Sequence, residues 1–496
     1  MKSEIKMVSW NQIGHVDKRI YSGFIEHIGR AVYEGIYQPG HPSADEDGFR
    51  TDVLELVREL NMPLTRYPGG NYVSSCCWED GIGPIEQRKT RLDFAWQALE
   101  PNTFGLDQFV KWCRKANTEP IMAVNLGTRG MEDAMNLMEY CNFPGGTYWS
   151  DLRKKYGAEQ PHNIKYWCLG NEVDGPWQAG HKSAEEYGTL ARETAKLLKG
   201  IDKNAQFIVV GSSKPGMTSF PEWDRIVLEK TYSIANYISL HCYFANKLGI
   251  EVFLTAPERL SEQIEDIVNT CDYVKAKVRS PKTMYLCFDE WNVWFRSKGK
   301  AKSQEWTVAR DILEDIYTME DALVVGGLLM ALLNHCDRVK IACIAQTVNA
   351  IAPIMTSKNG GAWKQTTYYP FYYTAKYGRG TVLDLHIDSP VYKAGEEDIP
   401  VLYQSVVWNQ EKGELILFLL NRDLKSELDI SVDTGDLVPE NVIEWISLHN
   451  EDLLAANTEG CEKISPIPMT GAAVSGSRIS AVLPPVSWNM IRIALK

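Results

Sequence analysis

Hydrophobic positions along this chain come in two rhythms. Up to roughly residue 380, short runs of β-branched and aromatic residues alternate with stretches whose apolar residues recur every three to four positions, as in βαβ units. Eight runs stand out, around Phe24 to His27, Pro63 to Tyr67, Ile121 to Leu126, Ile164 to Leu169, Phe207 to Gly211, Tyr237 to Leu240, Met284 to Phe288 and Lys340 to Ile344. Amphipathic segments at 47–61, 106–117, 183–200 and 257–278 lie between them and predict crossover helices. Eight strands joined this way predict an α/β fold, a parallel sheet closed into a (β/α)8 barrel.

After YYPFYYTAKYGRG (368–380) the helical period stops. VLYQSVVWNQEKGELILFLLNRD, ELDISVD, NVIEWISLHN and MIRIALK carry strand-like runs alternating at period two, with QEKGE as a hairpin turn, and predict a C-terminal antiparallel β-sandwich of jelly-roll type. The expected division is an N-terminal segment, 1–18, adding an edge strand to the sandwich through EIKMVSW; a barrel, 19–378; and the sandwich, 379–496.

Composition narrows the partners. A formal net charge of −12 opposes nucleic acid and anionic membranes, whose recognition draws on clustered Lys and Arg. No run reaches the ~20 apolar residues of a membrane span, and the first twenty residues lack the apolar core of a secretory signal. The 11 Cys are an odd number and sit mostly in apolar runs, which suits reduced thiols in a cytoplasm. With 9 His and no HExxH, neither a metal nor a cofactor is expected.

Barrel chemistry collects where loops leave the C-terminal ends of the strands. The polar residues there are Glu26 and His27, Arg66 with PGGN, Asn125, Asn171 with Glu172, His241 and Tyr243, Glu290, and Gln346. Glu172, closing CLGNE, and Glu290, within CFDEW, stand where buried runs stop, and a carboxylate there is costly to desolvate. Glycoside hydrolysis takes two such groups: about 5–5.5 Å apart they give retention of configuration, about 6.5–9.5 Å apart inversion. Plainer roles exist for single residues. Glu26 could cap a helix or pair with Arg30, His241 could be a core histidine, and Trp96 and Trp294 could be packing. GSSKPGMT (211–218) has Met217 where a phosphate loop needs lysine, and no GxSxG occurs.

RYPGGN, AVNLGTRG, WCLGNEVDGPWQ, ISLHCY, FDEWNVW and AQTVNAIAPIMT, in that order, resemble the family 51 glycoside hydrolases, the α-L-arabinofuranosidases, from about Gly23 to Thr356. The resemblance implies a barrel with a C-terminal sandwich and a retaining mechanism, with Glu172 as acid/base and Glu290 as nucleophile. It places Asn171 on the sugar 2-hydroxyl, Glu26 and Asn71 on other furanose hydroxyls, and Gln346 and His241 in the same pocket. Arg66 and Tyr243 become partners of the nucleophile, and Trp96 and Trp294 edge the pocket. The implied protein is a cytoplasmic homo-oligomer, a hexamer, that removes terminal non-reducing arabinofuranose from arabino- and arabinoxylo-oligosaccharides. Rival readings are a β-D-xylosidase or endoglucanase on the same scaffold, or a non-catalytic carbohydrate-binding protein. Cys76, Cys77, Cys242 and the 243–258 loop depart from the family pattern and bear on specificity.

Overall fold

Eight parallel strands pair in chain order and close on themselves: β1 (Ser22–Phe24), β2 (Leu64–Tyr67), β3 (Glu119–Ala123), β4 (Tyr166–Cys168), β5 (Gln206–Val210), β6 (Tyr237–Phe244), β7 (Tyr285–Val293) and β8 (Val339–Ile344). The structure, a computed structural model, describes residues 1–295 and 305–496. The expected crossover helices form at Thr51–Leu60, Leu106–Ala116, Ala184–Ile201 and Ala256–Lys277. Their apolar faces pack on the barrel's outside, and Ser183 with Glu186 forms a capping box at the third of them.

The barrel interior is layered by polarity. Phe24, Ile121, Cys168, Ile208, Cys287, Ile341 and Cys343 pack together as its apolar part. On the N-terminal side of the barrel, Arg19 donates to the Tyr166 and Tyr237 hydroxyls at 2.7 and 3.0 Å. Buried polar side chains collect toward the C-terminal ends of the strands, so the interior is a packed core with its chemistry at one mouth.

Met319–Asn334 has no amphipathic signal because it has no polar face. Every residue from Asp321 to Leu333 is buried, with β7 on one side and the sheet strands Leu402–Asn409, Glu414–Asn421 and Ser487–Leu495 on the other. A helix apolar all round must be enclosed, and this one joins barrel to sandwich.

The sandwich has a seven-stranded and a five-stranded sheet, with Ile5, Leu417, Leu419, Ile430, Val432 and Ile491 packed between them. The chain start enters both. Gln12–His15 takes the edge of the larger sheet. Lys2–Lys6 lies inside the smaller one, parallel to Leu428–Asp433 and antiparallel to His386–Asp388, so it is not the edge strand expected of it. The reason is pairing on both sides, with Ile5 turned fully into the core.

The interface around Met319–Asn334 leaves no room for added volume. A Cβ on Gly326 would stand 2.3 Å from the Trp488 ring, whereas one on Gly361 would meet nothing within 4 Å. Gly326→Ala is expected to cost roughly 1–3 kcal/mol and lower the thermal unfolding midpoint, with Gly361→Ala nearly neutral. Equal midpoints for the two variants would contradict this account.

Candidate active site

Arg66, on β2 and wholly buried, organises the barrel mouth. Its Nη1 donates to Glu290 Oε1 at 2.7 Å, its Nη2 to Asn171 Oδ1 at 2.7 Å, and its Nε lies 3.1 Å from Asp289 Oδ2. Glu290 Oε2 accepts from the Tyr243 hydroxyl at 2.7 Å. Both oxygens of Glu290 are thus held by donors from other strands.

Asp289 and Glu290 are neighbours, and simple alternation would send them to opposite faces. The pairing of β7 shifts register against both β6 and β8 here: Ser239 faces Cys287, but His241 faces Glu290. One extra residue on β7 makes a bulge, and both carboxylates reach Arg66. Arg66, His241 and Ser239 outweigh the penalty of burial on the Asp289 carboxyl and hold it down at about 2.

Glu172 follows β4 in a backbone conformation that L-residues rarely adopt, with φ +43°. Its Oε1 lies 3.0 Å from His241 Nδ1, and its Oε2 accepts from Trp177 Nε1 at 2.7 Å. His241 Nδ1 is also 3.5 Å from Glu290 Oε2, and Nε2 is 3.4 Å from Asp289 Oδ1. Burial alone would depress this imidazole, but Glu290, Asp289 and Glu172 raise it well above the usual range. His241 is therefore set between two glutamates whose charge favours its protonated form. One oxygen of Glu172, one of Glu290 and a ring nitrogen of His241 lie within 4.8 Å of one another. That spacing could also hold a divalent cation, but Trp177, Arg66 and Tyr243 already donate to these carboxylates.

Glu26 sits opposite, just past β1. Oε1 accepts from the Tyr72 amide and from Trp96 Nε1, both at 3.0 Å, and Oε2 from Gln346 Nε2 at 3.2 Å. Burial, and then the charge on Glu290, push its carboxyl up to about 8 against those donors. The glycines of RYPGGN are needed for this packing, since a Cβ on Gly70 would lie 2.7 Å from Glu26 Oε2. Asn71 Oδ1 stands 3.5 Å from Asn171 Nδ2, and the Trp294 ring meets Tyr243 edge-on at 5.2 Å.

Some strand-end residues lie elsewhere. Asn125 spends its amide on the loop after β3, accepting from the amides of residues 127 to 129. Cys242 faces the apolar layer under the helices rather than the mouth, and Cys77 Sγ contacts Arg129 Nη1 at 2.8 Å. Asp289 and Trp177 are the residues that reading the chain missed. A bulge leaves no mark in the period, and Trp177 sits five residues past Glu172 in an irregular loop.

Residues 56–250 match the family described as α-L-arabinofuranosidase 1 domain, and residues 289–487 the one described as α-L-arabinofuranosidase C-terminal domain. The second match begins inside β7, so it spans the end of the barrel and most of the sandwich. A protein of Acetivibrio thermocellus named intracellular exo-α-(1→5)-L-arabinofuranosidase is 49% identical, covering 97% of each chain. One of Bifidobacterium longum named exo-α-(1→6)-L-arabinofuranosidase is 44% identical, over 97% of this chain and 95% of its own. The solved family 51 α-L-arabinofuranosidase AbfB of Bifidobacterium longum superposes with a TM-score of 0.95 at 39% identity, covering 99% of each chain.

A folded-state value near 8 for Glu26 against an ordinary 4.5 means that the folded protein holds this proton more tightly. The stability it contributes is complete below about pH 4.5 and is lost as pH rises toward 8. The midpoint difference between Glu26→Gln and the parent should therefore shift in the variant's favour from pH 5 to pH 8. A constant difference across that range in thermal melts would rule this out.

Proposed function

Because the chain belongs to glycoside hydrolase family 51, the α-L-arabinofuranosidases, we propose that Glu290 and Glu172 cleave the arabinofuranosyl bond by double displacement with retention. The enzyme is an exo-acting α-L-arabinofuranosidase. The observation that carries the mechanistic reading is that one oxygen of Glu172 lies within 4.8 Å of one oxygen of Glu290, the close approach expected of a retaining pair.

In this reading, Glu290 attacks the anomeric carbon while Glu172 gives its proton to the leaving oxygen, forming a covalent glycosyl ester. Glu172 then takes a proton from the water that attacks the same carbon, and Glu290 leaves as carboxylate. Arg66 and Tyr243 hold Glu290 in line. Asn171, fixed by Arg66, faces the 2-hydroxyl, where a hydrogen bond that strengthens in the oxocarbenium-like transition state lowers the barrier. Glu26, Asn71 and Gln346 take the other hydroxyls, with Trp96 and Trp294 at the rim. His241 acts through charge between the two glutamates.

The substrates supported best are short arabino- and arabinoxylo-oligosaccharides from arabinan and arabinoxylan, processed in the cytoplasm. The word intracellular in the Acetivibrio relative's name supports that address. Among the described residues, no helix is long and apolar enough to cross a membrane. Family resemblance alone supports a homo-oligomer, a hexamer, to be read by light scattering.

Glu290→Ala is expected to abolish turnover. Glu172→Ala should lose on the order of 10²–10⁴-fold on alkyl arabinofuranosides and far less on activated aryl ones, with azide restoring rate and giving the retained glycosyl azide. Equal losses on both leaving groups would overturn the acid/base assignment.

Nitrophenyl α-L-arabinofuranoside should be turned over much faster than nitrophenyl β-D-xyloside, and faster xyloside turnover would favour the xylosidase reading. Between arabinobioses, the 49% relative's name points to the (1→5) isomer over the (1→6) isomer. Chromatography of the released arabinose decides between them.

A further inference from the structure

Between β2 and Leu106–Ala116 the chain makes a two-stranded hairpin, Arg91–Asp93 paired with Ala98–Glu100, whose turn carries Trp96 to Glu26. At its other end Glu100 is buried, although it is a carboxylate in a surface excursion. Its Oε2 meets His27 Nδ1 at 2.7 Å, and its Oε1 accepts from the Asn102 amide at 2.7 Å and from the Tyr33 hydroxyl. His27 Nε2 lies 2.7 Å from the Tyr67 hydroxyl, and the imidazole stacks on Tyr72 at 4.7 Å, the residue whose amide also binds Glu26. Both ring nitrogens are thus engaged, Nδ1 by Glu100 and Nε2 by Tyr67.

These contacts close a ring: Glu26 is bonded in sequence to His27, His27 to Glu100, Glu100 through the hairpin to Trp96, and the Trp96 indole back to Glu26. The turn is stiffened by Asp93, whose Oδ1 accepts from the Ala95 amide at 2.9 Å. Arg310 braces it from outside, donating to the Trp96 and Gln97 carbonyls at 2.8 and 3.0 Å.

We propose that His27 and Glu100 are the positioning pair of the sugar pocket, latching the 91–100 hairpin so that the Trp96 indole orients Glu26 toward a substrate hydroxyl. This rests on the reading of Glu26 as a sugar ligand. The ring nitrogens of His27 and the carboxylate oxygens of Glu100 are bonded to protein groups, so the pair acts by positioning. The hairpin's own few backbone bonds would be marginal in water; Arg310 and the Thr307 carbonyl tether its turn side and second strand, and the His27–Glu100 pair holds its base. A buried carboxylate–imidazole pair fixes its base where bond geometry is strict.

A double-mutant cycle tests the latch, using kcat/KM for nitrophenyl α-L-arabinofuranoside. Trp96→Phe removes the indole N–H and keeps an aromatic ring, and Glu100→Gln breaks the charged hydrogen bond. Each is expected to cost about tenfold, the size of one lost hydrogen bond, and the double variant about the same tenfold, because the latch acts through that N–H. Losses that multiply to about a hundredfold would show that Glu100 acts apart from Trp96 and would overturn the proposal. Should Glu100→Gln not fold, His27→Gln enters the same cycle with the same two outcomes. Glu26→Gln separates premise from inference: with no loss in kcat/KM the sugar-ligand reading fails and takes the latch with it, whereas a loss there combined with multiplying effects in the cycle sinks the latch alone.

Discussion

One guanidinium carries the site. Arg66 is fully buried on the barrel axis and reaches Glu290, Asn171 and Asp289 together. A buried cation is tolerable only when its desolvation is repaid by close anions in strict geometry, and those anions are tolerable only because of it. The fork of the side chain therefore does more than bind: it fixes the separation of β2, β4 and β7 at the mouth, and with it the positions of both glutamates. Lysine could supply the charge but not a planar fork that directs separate nitrogens at Glu290 and Asn171.

The rest of the mouth follows from that constraint. With Arg66 committed to Glu290 and Asp289, the polar partners of Glu172 come from elsewhere, His241 on β6 and the Trp177 indole. Among the described residues, the donors to Glu26 are neutral, and burial with the charge on Glu290 pushes its carboxyl up to about 8.

The strand ends were legible in the chain because desolvation makes a polar residue after a buried apolar run expensive, hence informative. Eight runs placed the barrel strands within a few residues, and the glutamates with them. What stayed hidden shares a physical cause: it depends on contacts between segments, not on local period. The bulge at Asp289 is set by pairing with β6 and β8. Met319–Asn334 lost its helical signature because both faces are covered. Lys2–Lys6 reads as an edge strand until Leu428–Asp433 and His386–Asp388 flank it. The hairpin at 91–100 is short, partly exposed and rich in charge, so nothing in its composition marks Glu100 as buried.

That last case shows how the pocket is held. The barrel supplies rigid strand ends, but a furanose presents hydroxyls on several sides, and the wall around Glu26 lies on a loop excursion that the barrel cannot brace. Tethering it takes a polar contact with strict geometry, because apolar packing would hold the hairpin close without fixing its angle. Placing that contact at the residue after Glu26 ties the excursion to the same strand end that carries the ligand. The position of Trp96 relative to Glu26 is then set from β1, the strand end that carries both Glu26 and His27.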